Sequence, residues 1–249
     1  MTTLALDLGN TALKYGVFTT AGLWESGVLA TPNELGELWQ RWQPQHAILA
    51  SVASEAEAQP WLHELRHVLT QILPLRPGFT PVPVHNAYAT PQTLGADRLA
   101  GAVGAAHLRP GQPMLILDAG TALKFDLVAN DSYYGGSIAP GLRMRLRALH
   151  AFTGRLPLLE LPETSAPVQL IGDTTASSLL SGVLNGAAAE VNGLVADYRR
   201  RYPGLGLVLT GGDAAYLRPW LAADLGFIFV VPELVLIGLD RILRYNVDR

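Results

Sequence analysis

One short pattern occurs twice in this chain, and each time it follows an apolar run with the length of a buried strand. Residues 7–14 have the sequence DLGNTALK and residues 118–124 have the sequence DAGTALK, so the two aspartates are 111 positions apart. The lysines that end these patterns are the only lysines of the chain, which uses arginine at its other positively charged positions. Such a repeat predicts a fold of two similar halves, each with one turn suited to binding anions.

The elements predicted around the two patterns come in the same order. A strand, a tight turn and two more strands are predicted over 3–8, 13–18 and 23–29, and again over 114–120, 123–128 and 132–138. Further strands are predicted over 46–52, 205–213 and 226–231, and helices over about 55–71, 97–107, 142–152, 174–202 and 233–246. Strands alternating with helices indicate an α/β fold. We predict an N-terminal half over 1–110 and a C-terminal half over 111–249.

Composition narrows the class of protein. Charged residues make up 16% and hydrophobic residues 49% of the 249 residues, which indicates large buried surfaces and allows for a subunit interface. The net charge of -3 provides no positive field that would recruit nucleic acid or an anionic membrane. The absence of cysteine excludes disulfides, thiolate metal sites and cysteine nucleophiles. The start has no signal-type segment, and no apolar run approaches the roughly 20 residues that span a bilayer, so we expect a cytoplasmic protein.

The repeated turns have the chemistry of phosphate binding. Glycine lets the backbone bend sharply and approach an anion, and the N–H and hydroxyl groups of Asn10, Thr11 and Thr121 can donate hydrogen bonds to phosphate oxygens. A carboxylate cannot hold a phosphate directly, but it can hold a cation that bridges to one. A lysine just behind supplies a positive charge. The alternative is an ordinary turn at the end of a strand. Neither a Rossmann nor a Walker glycine motif is present.

An ordered set of short blocks carries a family resemblance, which extends from residue 4 to about residue 240. Each block is weak alone, but their order and spacing together are specific. The chain resembles the type III pantothenate kinases, which are similar to acetate and sugar kinases, actin and the heat-shock chaperone ATPase. The matching blocks are Asp7–Thr11, Leu94–Arg98, Asp118–Ala122, Gly135–Gly141, Ile171–Thr175 and Thr210–Gly212.

The resemblance implies both a fold and an activity. The fold is α/β with two actin-like (ribonuclease H-like) halves, each a mixed β-sheet flanked by helices, and the active site in the cleft between them. The activity is transfer of the ATP γ-phosphate to the primary hydroxyl of pantothenate, which is the first committed step of coenzyme A synthesis. Mg²⁺ accompanies the nucleotide, a monovalent cation (K⁺ or NH₄⁺) is bound, and the protein is a homodimer.

The resemblance also implies roles for single residues. Asp97 is the general base, Asp118 ligates the monovalent cation, and Thr175 reaches the pantothenate of the neighbouring subunit. The residues implied to bind pantothenate are Tyr88, Gly95, Ala96, Asp97, Arg98 and Thr175. The residues implied to bind ATP are Asp7, Leu8, Gly9, Asn10, Thr11, Ala12, Leu13, Lys14, Thr121, Gly211 and Gly212.

Several of these residues have simpler explanations. Asp97 and Arg98 could be an acid at a helix N-terminus beside a surface arginine, Tyr88 could be a packing residue, and Thr175 could be a helix cap. A set of three arginines, Arg143, Arg145 and Arg147, is assigned to a solvated or interface face.

Lys124 departs from the family pattern, which usually continues Gly-Thr-Ala-x-Thr after the second aspartate. If Lys124 points into the site, it could neutralise phosphate charge and reduce the dependence on potassium. The alternative is that Leu123, Phe125 and Leu127 face the core while Lys124 faces solvent.

Two other functions compete with pantothenate kinase. One is a non-catalytic relative that acts as an accessory or regulatory protein, which the presence of Asp7, Asp97, Arg98 and Asp118 disfavours. The other is a different small-molecule kinase of the same superfamily, although those chains are usually longer and lack the Gly-Ala-Asp-Arg block.

Overall fold

The computed structural model describes residues 1–9, 12–51, 55–68, 72–163, 168–222 and 228–248. Spatial contacts divide the chain into two compact units. Unit 1 comprises Met1–Gly111, Asn130–Tyr134 and Glu233–Arg249, and unit 2 comprises Gln112–Ala129 and Gly135–Pro232. Each unit is built around a β-sheet.

The sheet of unit 1 has five strands in the order β3-β2-β1-β4-β5. These are β1 (Thr3–Leu8), β2 (Leu13–Thr19), β3 (Gly22–Leu29), β4 (His46–Ser51) and β5 (Ile72–Pro74). β1 pairs antiparallel with β2 and parallel with β4, so the sheet is mixed. The predicted meander of the first three strands is confirmed.

Strand β1 is buried along nearly all of its length because both of its faces are covered. Leu4, Leu6 and Leu8 pack with buried residues of two helices, α1 (Asn33–Trp42) and α2 (Glu55–Val68). On the other face, the Thr3 hydroxyl donates a 2.5 Å hydrogen bond to Asp240 in the C-terminal helix α7 (Leu234–Val247).

The second sheet has the order β11-β10-β7-β8-β9-β6. Its strands are β6 (His85–Asn86), β7 (Met114–Ala119), β8 (Ala122–Ala129), β9 (Ser132–Pro140), β10 (Gly206–Thr210) and β11 (Ile228–Val230). Strand β7 pairs antiparallel with β8 and parallel with β10. The two residues of β6 pair with Ser132 and Tyr133, which also belong to unit 1.

The predicted repeat is confirmed by strand order. Five strands of the second sheet have the order β9-β8-β7-β10-β11, and the first sheet has the order β3-β2-β1-β4-β5. Strand β7 therefore corresponds to β1, and strand β8 corresponds to β2. The two patterns therefore fall at equivalent turns, each between the central strand and its antiparallel neighbour. The actin-like α/β fold is thus built from two mixed sheets of the same topology.

The helices of unit 2 cover its sheet. They are α4 (Leu142–Ala151), α5 (Thr175–Arg201) and the short α6 (Ala214–Leu217). Leu115, Leu117 and Ala119 of β7 share one buried core with residues of all three helices.

Helix α7 packs within unit 1, against α3 (Ala96–Leu108). The helices approach so closely that a Cβ on Gly104 would collide with the Leu234 carbonyl, and one on Gly238 with the Ala100 carbonyl. Arg244 joins α7 to strand β2 by donating to the Thr19 carbonyl at 3.0 Å, and it donates to the Asp240 carboxylate of its own helix at 2.7 Å. The C-terminal helix, placed by the sequence in the half 111–249, is therefore grouped with the first unit.

Helix α5 needs a correction to the sequence analysis, which expected no apolar segment long enough to span a bilayer. By length and composition its 27 residues are sufficient. One face of α5 is nevertheless part of the unit 2 core, through Val183, Ala187, Val191 and Val195. The helix is amphipathic, with its apolar face used for packing.

Candidate active site

The first repeated turn lies in unit 1, at the carboxyl end of β1. Asp7 is half-buried and pairs in register with Lys14 of β2, whose side chain is exposed. The Gly9 amide donates a 3.1 Å hydrogen bond to the Ala12 carbonyl, which closes the turn. Asn10 and Thr11, two of the predicted ATP-binding residues, lie outside the described residues. Leu8 and Leu13 are buried, so their side chains anchor the turn in the core.

The second turn lies in unit 2 and repeats this geometry with one residue fewer. Asp118 pairs in register with Lys124, and the Gly120 amide donates to the Ala122 carbonyl at 3.1 Å. Thr121, at the tip, is exposed and able to donate a hydrogen bond to a ligand.

Lys124 forms an ion pair with Asp118 across these two strands. Its Nζ lies 2.6 Å from Asp118 Oδ2, and the two side chains are 19% and 21% exposed. Strand alternation holds as the sequence analysis considered: Leu123, Phe125 and Leu127 are in the core and Lys124 is on the opposite face. Lys124 is nevertheless not fully exposed to solvent on that face, because it pairs there with the Asp118 carboxylate.

Gly211 closes the unit 2 turn from the β10 side. Its φ of +90° is a left-handed conformation that side-chain-bearing residues rarely adopt. A Cβ at this position would also collide with the Ala119 carbonyl and with Asp118 Oδ1. The ends of β7 and β10 therefore meet closely, and the Asp118 carboxylate lies between Lys124 and the backbone of Gly211. Gly212, the next residue, is exposed.

A second group of predicted residues comes together at the N-terminus of α3 in unit 1. Gly95 is the N-cap residue, and Ala96 and Asp97 are the first two residues of the helix. Asp97 is half-buried, and its Oδ1 would lie 2.5 Å from a Cβ built on Gly95. The carboxylate thus folds back over the cap, near the positive end of the helix dipole, where a negative charge is stabilised.

The guanidinium of Arg98, the next residue of α3, lies over the ring of Tyr88. The Arg98 guanidinium carbon lies 5.7 Å from the centroid of the Tyr88 ring, which is within the range of a cation–π interaction. Tyr88 in turn stacks on Tyr133, with centroids 6.0 Å apart and an interplanar angle of 26°. Arg98 is only 8% exposed, so the alternative of a surface arginine is wrong.

A cavity of about 410 Å³ adjoins the same helix start. Gly95 and Ala96 form one wall and Ser51, at the end of β4, belongs to another, with Arg76 and Gln92 as polar groups. Two of the predicted site residues, Gly95 and Ala96, therefore lie beside a space of ligand size, whereas Asp97 is not among the residues that line it.

Thr175 is the first residue of α5 and is exposed. The cap of this helix is Thr174, whose hydroxyl accepts from the Ser177 amide at 3.1 Å within a capping box. Thr175 is therefore not needed as a cap, and its hydroxyl remains accessible.

Two of the three arginines of α4 form ion pairs, and of these two Arg143 is exposed and Arg145 half-buried. Arg143 donates to Asp213 Oδ1 and Arg145 to Glu190 Oε2, each at 2.5 Å, while Arg147 is exposed. Burial is the largest cause that raises the pKa of the neighbouring Tyr216, and the charges of Arg143 and Asp213 act on it in opposite directions.

Sequence reasoning missed Tyr133 and Asp126. Tyr133 is fully buried and supports Tyr88, a contact that depends on pairing of β9 with the short strand β6. Asp126 is a 2% exposed carboxylate on the same face of β8 as Lys124. The signal for Asp126 was present in LKFDLV, where two charges alternate with apolar residues.

The two repeated turns each carry one carboxylate, that of Asp7 in the first turn and that of Asp118 in the second. Across the parts of the chain that the structure describes, no group of three or more His, Asp or Glu side chains is placed to hold a metal. A hard divalent cation in such a site keeps water and phosphate oxygens as most of its ligands, and Asp7 is a fitting carboxylate partner.

Comparisons with known proteins show the family of the chain. The family model for type III pantothenate kinase matches residues 3–197. The type III pantothenate kinase of Phocaeicola vulgatus is 38% identical over 246 residues, which is 98% of each chain.

Solved structures of lower identity share the fold. A Campylobacter jejuni protein assigned to the Baf family of transcriptional activators superposes with a TM-score of 0.63 at 20% identity, covering 99% of this chain and 100% of that one. A Sinorhizobium meliloti protein assigned as a 2-dehydro-3-deoxygalactonokinase gives a TM-score of 0.57 at 17% identity, covering 98% and 99%.

The repeated mixed sheets and their glycine turns define an α/β protein of the actin-like class that includes the sugar kinases. Within that class, the chain belongs to the type III pantothenate kinase family and is a kinase enzyme.

Proposed function

We propose that this protein phosphorylates pantothenate with ATP to give 4'-phosphopantothenate, the first step of coenzyme A biosynthesis, in the cytoplasm. Family membership supports the reaction class. The observation that carries the proposal is the arrangement at the start of α3, where half-buried Asp97 is followed by buried Arg98, whose guanidinium lies over the ring of Tyr88.

Asp97 is proposed as the general base. The pantothenate hydroxyl oxygen attacks the γ-phosphorus, the bond from that phosphorus to the β,γ-bridging oxygen breaks, and ADP leaves. The hydroxyl proton passes to the Asp97 carboxylate, whose main task is to orient the attacking oxygen because phosphoryl transfer depends chiefly on positioning and charge.

Arg98 is proposed to hold the pantothenate carboxylate. A guanidinium can donate two parallel hydrogen bonds to a carboxylate, and stacking on Tyr88 fixes its plane. Gly95 and Ala96 line the adjoining cavity, so their backbone is available to the rest of the substrate.

The repeated turns are proposed to hold ATP. The described residues assigned to this role are Asp7, Leu8, Gly9, Ala12, Leu13, Lys14, Thr121, Gly211 and Gly212, and Asn10 and Thr11 complete the set. Mg²⁺ would accompany the nucleotide, with Asp7 as the carboxylate that would hold it through water, and it would supply charge neutralisation on the phosphates.

The protein is proposed to act as a homodimer in which Thr175 reaches the pantothenate of the neighbouring subunit. The exposed position of Thr175 at the start of α5 supports this role, since its hydroxyl is not engaged in capping its own helix.

A coupled assay of ATP-dependent pantothenate phosphorylation tests the proposal. We expect the wild type to be active and Asp97→Asn to lose about 100- to 10,000-fold in kcat, because the amide keeps the shape but cannot accept a proton. The matched control is Asp131→Asn, the same change at an exposed turn residue with φ of +55°, a conformation that asparagine tolerates.

The outcomes separate the candidate functions. A folded wild type without phosphotransferase activity would favour the accessory-protein alternative. Activity on a sugar or acetate with none on pantothenate would assign a different kinase of the superfamily. Equal rates for wild type and Asp97→Asn would overturn the role of Asp97.

A further inference from the structure

We infer that Lys124 is a built-in counter-cation for Asp118, so that the kinase works without a free monovalent cation at this position. The inference rests on the proposed function and adds the source of positive charge at the second phosphate turn. Family resemblance assigns Asp118 to a potassium or ammonium ion, and Lys124 is a residue that departs from the family pattern.

Lys124 and Asp118 form a direct ion pair. The Lys124 ammonium lies 2.6 Å from Asp118 Oδ2, which is the distance of a charge-assisted hydrogen bond. Both side chains are about four-fifths buried, so water screens the pair less than it would screen an ion pair on the surface.

The second oxygen of the Asp118 carboxylate lies near the turn that follows β10. This oxygen, Oδ1, lies against the backbone at Gly211, so closely that a Cβ there would collide with it. Lys124 thus pairs with one oxygen of the carboxylate, and the backbone at Gly211 lies close to the other.

The Lys124 ammonium balances the charge of the Asp118 carboxylate as a bound monovalent cation would. A carboxylate with one bound monovalent cation has zero net charge, and so has a carboxylate paired with an ammonium. A tethered ammonium is present at a high effective concentration whatever the salt, whereas a free ion has to be bound from solution. The pair therefore supplies permanently the charge that an ion would supply only when bound.

Strand register explains why this lysine reaches the carboxylate. Lys124 and Asp118 are directly opposite each other on antiparallel strands, where side chains on one face are neighbours. A threonine here is too short and uncharged to form the pair, and would leave the carboxylate to an ion from solution.

The test compares wild type and Lys124→Thr in NaCl, KCl and NH₄Cl at equal ionic strength. We expect the wild-type rate and its affinity for a non-hydrolysable ATP analogue to be the same in all three salts. We expect Lys124→Thr to fall by about 10- to 100-fold in NaCl, since one charge at the phosphates is lost, and to recover in KCl and most fully in NH₄Cl.

Lys14→Thr is the matched control because Lys14 occupies the equivalent position opposite Asp7 and is exposed. It should weaken nucleotide binding equally in all three salts. Circular dichroism and thermal unfolding report whether each variant folds, and if Lys124→Thr does not fold, the salt response of the wild type decides alone.

Two failures are distinguishable. A wild type that phosphorylates pantothenate only with potassium or ammonium overturns the inference and leaves the proposed function standing. A wild type inactive on pantothenate overturns the proposed function, while salt-independent binding of the ATP analogue, made salt-dependent by Lys124→Thr, would still support the role of Lys124.

Discussion

A single methyl group at Gly95 is expected to disturb the proposed base. The backbone of Gly95, with φ of -61° and ψ of 132°, is open to any residue, so Gly95→Ala causes no backbone strain. Its Cβ would lie 2.5 Å from Asp97 Oδ1 and has to displace that carboxylate. We expect kcat for pantothenate to fall by about 10- to 100-fold through misplacement of the base, measured by steady-state kinetics.

The control for this prediction is Gly101→Ala on the same helix. The nearest atom to a Cβ at Gly101 is Val235 Cγ2 at 4.0 Å, an ordinary van der Waals contact. This variant should keep the wild-type kcat. An unchanged kcat in a folded Gly95→Ala protein would mean that the position of Asp97 is not critical.

At the scale of residues, the sequence identified candidates better than it identified their partners. The sequence identified Asp118 and Lys124 as candidates but left two orientations open for the lysine side chain. Alternation along a strand predicts which face of the sheet a side chain lies on, but it does not predict which residue that side chain contacts. The neighbour depends on the register of β7 against β8, which is set by a turn one residue shorter than that of the first half. Tyr133 was missed for the same reason, since its contact with Tyr88 is long-range.

At the scale of secondary-structure elements, we expect the stability of the protein to depend on the close packing of α3 against α7. Gly104→Ala and Gly238→Ala each place a Cβ against a backbone carbonyl of the facing helix, which cannot move aside as a flexible side chain can. The helices have to separate, and we expect each variant to lose about 1–3 kcal/mol of unfolding free energy. Urea denaturation followed by circular dichroism measures the loss.

Gly101→Ala serves again as the comparison, now for stability. With free space at its Cβ, the substitution should leave stability unchanged or raise it by about 0.5–1 kcal/mol, because alanine is the better helix former. If Gly104→Ala and Gly238→Ala were as stable as Gly101→Ala, close packing of the two helices would not be required.

Most elements were predictable because hydrophobic periodicity is a local signal. The strands of both meanders and helices α3, α4, α5 and α7 lie where the sequence placed them, within a few residues. Strands β5 and β6, with three and two residues, were not predicted, since so short a segment is a strand only through its pairing partner. The partner of α7 was not predictable either, because the contact joins distant parts of the chain.

At the scale of the whole molecule, the repeat gave the number of sheets and their common topology. It did so because the same local order of strands, repeated 111 residues apart, favours the same pairing twice. Composition did not reveal that α7 joins unit 1, nor which surface serves assembly.

The exposed face of α5 is where we expect two protomers to meet. Gly182, Gly186, Ala189 and Gly193 are exposed at helical spacing, and nothing lies within 4 Å of a Cβ on any of the three glycines. Leu170 and Ile171, which precede the helix, are 78% and 82% exposed. Small residues beside exposed apolar ones allow two backbones to approach closely, and a two-fold axis would use the same face of each copy.

Gly186→Arg is therefore predicted to prevent formation of the proposed homodimer. The substitution fits the free chain, since its Cβ meets open space and arginine is a better helix former than glycine, but it places a bulky charge on each side of a two-fold interface. Light scattering after size exclusion gives the mass, and kinetics should show a raised KM for pantothenate because Thr175 no longer reaches the neighbouring site.

Gly154→Arg, an equal change at an exposed loop residue with an equally open Cβ, should remain dimeric with an unchanged KM. A Gly186→Arg protein that stays dimeric would show that α5 does not form the interface, and a monomer with unchanged KM would remove Thr175 from the site.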